Sequence, residues 1–74
     1  MSKLRVGVVG VGGIARTHMP GWAASEHAEV VAGSDVSQEA LTRWGQEHDV
    51  KKLHTDPEAL FNDSDIDVID VCTP

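Results

Sequence analysis

The chain has 74 residues, a single cysteine and a formal net charge of −6, so it is at most one small domain and contains no internal disulfide. Its acidic balance, with no basic run longer than Lys51-Lys52, argues against nucleic acid or an anionic membrane as partner. No stretch approaches the ~18 consecutive apolar residues of a membrane span, and Met1-Ser2-Lys3 leads into the first apolar run without room for a signal peptide, so the expectation is a soluble, cytoplasmic protein.

Leu4 to Val9 is a β-branched run that reads as a buried parallel strand. The segment from Gly13 to about Ala24 can be helical, with Pro20 inside it expected to kink or shorten the helix. Glu29 to Ser34 reads as a second strand. Ser37 is a plausible N-cap for a helix from Gln38 to about His48 that buries Ala40, Leu41 and Trp44. Lys52-Leu53-His54 is a brief third strand. A short helix follows, opened either by a Thr55/Glu58 capping box or by Asp56 with Pro57 in the first turn. Ile66 to Cys72 is the fourth strand, and Thr73-Pro74 ends the sequence.

Strict alternation of strand and helix predicts an α/β fold of three layers, α/β/α, with a parallel sheet, right-handed crossovers and strand order 3-2-1-4. This is the Rossmann-like arrangement. A mostly apolar fourth strand would make a poor free edge, so the sequence is expected to be an incomplete part of a larger dinucleotide-binding domain.

Gly10-Val11-Gly12-Gly13-Ile14-Ala15 sits between the first strand and the first helix. Gly10 lets the chain leave the strand in a tight turn, Gly12 removes a Cβ where a pyrophosphate approaches, and Ala15 permits close helix–strand packing. The N–H groups of Gly13 and Ile14 would face the phosphates at the positive end of the helix. Gly7 and Gly12 have the spacing of a nucleoside-triphosphatase loop, but Gly13-Ile14 follows where that loop needs Lys-Ser/Thr, which excludes it. Asp35 stands about 20 residues past Ala15, at the end of the second strand, where a carboxylate reads the adenosine ribose hydroxyls. Such a carboxylate repels a 2′-phosphate, and Val36, Ser37 and Gln38 supply no cation to receive one. The reading favours NAD(H) over NADP(H). The crevice outside the first and fourth strands would hold the ligand, which adds Cys72, Thr73 and Pro74, and with them Val36 next to Asp35, to Gly10, Val11, Gly12, Gly13, Ile14 and Asp35 as cofactor-binding candidates.

Other polar residues carry plainer expectations. His18, His27, His48 and His54 share no metal-ligand spacing, so no metal site is expected, although His18 follows the glycine turn closely enough to lie near a cofactor. Trp22 and Trp44 read as core residues. Asp70 interrupts an apolar strand and reads either as a buried, paired acid or as an edge-facing structural one, rather than as catalytic. Asp63, Asp65 and Asp67 read as a solvated turn, because no glycine or final glutamate completes a calcium loop.

Gly7 to His18, Val31 to Val36, Thr55-Asp56 and Asp67 to Pro74 together resemble the N-terminal part of the glucose–fructose oxidoreductase and inositol dehydrogenase (Gfo/Idh/MocA) family. The resemblance covers essentially the whole sequence, and the Thr73-Pro74 ending of the fourth strand is its most distinctive element. It implies a parent of several hundred residues with a C-terminal, mostly antiparallel substrate domain. It also implies homo-oligomers and NAD(P)-dependent chemistry on a sugar, cyclitol or related carbonyl. By the same resemblance the catalytic lysine lies in a Glu-Lys-Pro motif outside residues 1–74, so these residues hold cofactor contacts and no catalytic group. Two other functions share the architecture: a glycoside hydrolase that uses NAD transiently, and a non-catalytic NAD-binding module.

Overall fold

Seven elements alternate along the chain: β1 (Leu4–Val9), α1 (Gly13–Ala24), β2 (Ala28–Ser34), α2 (Gln38–His48), β3 (Lys52–His54), α3 (Pro57–Phe61) and β4 (Val68–Val71). The structure is a computed structural model that describes residues 3–72, with side-chain surroundings for all of these except 13–17. All strand pairs are parallel and the sheet order is β3-β2-β1-β4, as the alternation predicts. β4 is shorter than expected because Ile66 belongs to the preceding turn, its N–H bonding back to Asp63 at 3.1 Å. Ladder bonding nevertheless continues past Val71, with Cys72 N–H donating to the Val9 carbonyl at 2.7 Å.

Helices cover both faces, which gives the three layers. On one face Val6, Val8, Val11, Met19, Ala28, Leu41, Trp44, Val50 and Cys72 form a continuous core beneath α1 and α2. On the other, Val9, Ala32 and Leu60 pack with Val31, Ile66 and Ile69 under α3. The Trp44 ring lies directly on Gly33, its Cη2 only 2.6 Å from where a Cβ would stand. Burying an aromatic of this size against a strand is possible here because that strand residue has no side chain. Trp44 Nε1 is buried without a partner.

Helix ends follow the side chains at their caps. Ser37 Oγ accepts from Ala40 N–H at 3.2 Å at the start of α2. The same helix ends on Asp49 in the left-handed region, φ 54°. For α3 the second of the two readings holds: Asp56 accepts from Glu58 N–H at 3.0 Å and Pro57 occupies the first turn. α1 continues past Pro20 to Ala24. Among the described residues no helix is long and apolar enough to cross a membrane.

Candidate functional site

The carboxyl ends of β1 and β2 meet at the glycine turn. Gly10 has φ 85°, a conformation that L side chains rarely adopt, and its N–H donates to the Ser34 carbonyl at 2.8 Å. The turn is thereby pinned to the end of β2. Gly12 is the N-cap of α1, exposed, with no atom within 4 Å of where its Cβ would stand. Gly13 and Ile14 open the helix, whose first turn has neither a side-chain cap nor an acidic residue. Neither the N-cap nor an acid of the first turn therefore takes its leading N–H groups, which suits them as donors for an anion.

Asp35 stands across from this turn. Its Oδ2 accepts from Val11 N–H at 3.1 Å and its Oδ1 from Ser37 N–H at 2.9 Å. Two of the roughly four acceptor positions of a carboxylate are thus used to orient it, and no other bond reaches it among the described residues. A cleft of about 130 Å³ lies at this point, and the described residues that line it, Val9, Gly10, Ser34, Asp35, Val36 and Pro57, include no basic one. Val36 is 89% exposed, a position that leaves its apolar side chain available to a ligand. Ser34 Oγ is buried and has no hydrogen-bond partner.

On the β4 side the candidates behave differently. Cys72 turns its side chain into the core, where burial and the Asp70 carboxylate push the thiol up to about 11. Thr73 and Pro74 lie outside the described residues. Asp70 stands on β4, the edge strand of the described sheet, but its side chain is held inward: it pairs with Val8 in register and is 14% exposed. The carboxylate accepts Trp22 Nε1–H at 2.8 Å and meets His18 Nδ1 at 2.9 Å. Burial raises the Asp70 carboxyl, but the Trp22 and His18 hydrogen bonds outweigh it and hold the group below the usual carboxylate range. Since an ionised carboxylate only accepts, His18 Nδ1 carries the proton.

Cys72 Sγ lies 3.3 Å from that same Nδ1, so His18, Asp70 and Cys72 bring three potential ligand atoms within 4.8 Å of one another. The contact atoms are shared rather than sequential: both Asp70 and Cys72 meet one ring nitrogen, which excludes a nucleophile–base–acid relay through the imidazole. A wide cavity of about 550 Å³ opens beside the cluster, lined by His18, Gly21, Trp22, Ser25 and Asp70.

The acidic turn is not simply solvated. Asp63 bonds Lys52 Nζ at 2.7 Å, and Asp67 accepts from both Arg5 N–H at 2.8 Å and Arg5 Nε at 3.3 Å. The charges of 63–67 are therefore spent on holding the turn to β1 and β3. A missed signal for the α1 cluster was also present in the sequence. His18 and Trp22 are spaced i, i+4, which stacks them on one helix face, and Asp70 and Cys72 are spaced i, i+2 on one strand face.

Residues 4–74 match the family described as "Oxidoreductase family, NAD-binding Rossmann fold". The chain belongs to the Gfo/Idh/MocA oxidoreductase family. Among the curated relatives of this family, the chain is 31% identical over 70 residues to myo-inositol 2-dehydrogenase from Thermotoga maritima, covering 95% of this chain and 21% of that protein. Its fold matches a crystal structure of an oxidoreductase from Agrobacterium radiobacter in complex with NAD+, L-tartaric acid and magnesium, at a TM-score of 0.91 and 26% identity, over 99% of this chain and 21% of that one. It also matches a mutant of a 3-ketoreductase from Actinomadura kijaniata in complex with TDP-benzene and NADP, at a TM-score of 0.86 and 27% identity, over 99% of this chain and 23% of that one. The chain spans about a fifth of the length of the relatives it matches.

Proposed function

We propose that these residues are the N-terminal part of the dinucleotide-binding domain of an NAD-dependent oxidoreductase acting on a sugar, cyclitol or related CH–OH substrate. A C-terminal substrate domain would complete the parent. The observation that carries the reading is the Asp35 carboxylate, oriented by Val11 N–H beside a glycine turn whose helix N-terminus lacks any side-chain cap. NAD, when bound, supplies the hydride acceptor. The pyrophosphate would rest on the N–H groups of Gly12, Gly13 and Ile14, with Gly10 and Val11 shaping the turn. Asp35 would receive the adenosine ribose hydroxyls through its free acceptor positions, and Val36 would cover one side of the adenosine. Cys72, Thr73 and Pro74 would border the nicotinamide half, with Cys72 contributing backbone rather than its buried thiol.

NAD is favoured over NADP because the described residues lining the cleft beside Asp35 include no cation for a 2′-phosphate. The cyclitol or sugar assignment is supported by the relationship to myo-inositol 2-dehydrogenase. It is tested by incubating the full-length protein with NAD+ and a panel of cyclitols and aldoses. The expected outcome is substrate-dependent NADH formation with at least one of them. Cleavage of a glycoside without net NADH release would replace this reading with the hydrolase, and absence of binding to either dinucleotide would end both.

A further inference from the structure

We propose that Asp70 is a positioning residue for the dinucleotide loop, acting through α1. The inference rests on the reading of residues 10–14 as the pyrophosphate cradle. That cradle works only while the first turn of α1 stays aimed at the phosphates. Among its described side chains, 18–24, Met19 alone is buried, and Trp22 is half-buried. Its N-cap makes no side-chain bond, and Pro20 removes an internal hydrogen bond.

Among the described side chains of α1 the second hold is polar. Asp70 clasps two successive turns of the helix at once, at Trp22 Nε1 (2.8 Å) and His18 Nδ1 (2.9 Å). Asp70 itself is fixed to the strand that runs into the glycine turn, since it is the ladder partner of Val8. Just beyond it Cys72 N–H bonds Val9 O at 2.7 Å. The carboxylate therefore ties the element after the loop to the element before it, closing the loop from the side opposite Asp35. Without this acceptor the half-buried indole N–H is unpaired, α1 loses its tie to β4, and its leading N–H groups shift from the phosphate positions.

The test measures NADH dissociation constants by calorimetry in the full-length protein, together with melting temperatures. Asp70→Leu should weaken NADH about tenfold, the equivalent of losing one hydrogen bond to a charged group. Asp70→Asn keeps a carbonyl acceptor for Trp22 and should recover most of that loss. Trp22→Phe removes the donor from the other side and should weaken NADH several-fold, about as much as one hydrogen bond, even if Asp70→Leu fails to fold. Leu60→Ala, in the core under α3 on the other face of the sheet, lowers stability without touching α1; it should leave NADH affinity within about twofold. Positioning is overturned if Trp22→Phe and the folded Asp70 variants bind NADH like the wild type. It is equally overturned if they lose no more affinity than Leu60→Ala at the same drop in melting temperature. A wild type that binds no dinucleotide would instead overturn the cofactor reading on which the proposal stands.

Discussion

Two aspartates hold the loop between β1 and α1 from opposite sides. Asp35 takes Val11 N–H at 3.1 Å and Ser37 N–H at 2.9 Å, so its carboxylate is oriented before any ligand arrives. Preorganisation of this kind spares the ordering cost that a free side chain would incur on binding. Replacing Asp35 by Ala removes hydrogen bonds to a charged acceptor, each worth about 1.5–3 kcal/mol, and should weaken NADH by roughly 10- to 100-fold. The same change removes a repulsion against a 2′-phosphate, so NADPH should be weakened less or even gain affinity. Calorimetric titration of both cofactors checks this. The place of Asp35 beside the glycine turn was legible, because an acid that closes the second strand comes to the end of the sheet where the first strand also stops. Asp70 was not, because an acid in an apolar strand shows no partner until the parallel register sets it opposite Val8 and beneath α1.

The elements owe their limits to caps and to the sheet. Ser37 satisfies Ala40 N–H at the start of α2, and the helix then buries Leu41 and Trp44 completely or nearly so, at 0% and 4% exposure. Ser37→Ala should destabilise the protein by about 1 kcal/mol without altering cofactor affinity. Differential scanning calorimetry would read this as a fall of roughly 4–8 °C for a domain of this size, less in a longer cooperative unit. The existence and order of all elements followed from period and punctuation, since β-branched runs alternate with amphipathic segments opened by Ser37 and Asp56. The start of β4 did not. Ile66 is as apolar as any strand residue, but its N–H closes the preceding turn onto Asp63 at 3.1 Å. Local hydrogen bonding outweighs propensity there.

At the scale of the molecule, the net charge of −6 is organised rather than spread. Hydrogen bonds from Lys52 lower the Asp63 carboxyl, those from the Arg5 backbone and side chain lower Asp67, and the Trp22 and His18 bonds outweigh burial to lower Asp70. A carboxyl lowered on folding binds its proton more tightly in the unfolded chain, so stability rises with pH through that window. The contribution of these acids is complete above their ordinary value of 3.8 and is lost as pH falls through the lower folded values. The melting temperature should therefore hold from neutral pH to about pH 5 and drop below about pH 4, less steeply in Asp67→Asn. A melting temperature unchanged through that acid range would contradict the pairing.

Among the described residues that line the cleft at Asp35 there is no cation, and cofactor choice turns on this. The deciding measurement is the ratio of the NADH and NADPH dissociation constants of the full-length protein, compared with that of Asp35→Ala. The account predicts tighter NADH in the wild type and a ratio that collapses toward unity or reverses in the variant. Tighter NADPH in the wild type, or equal losses for both cofactors in Asp35→Ala, would contradict it.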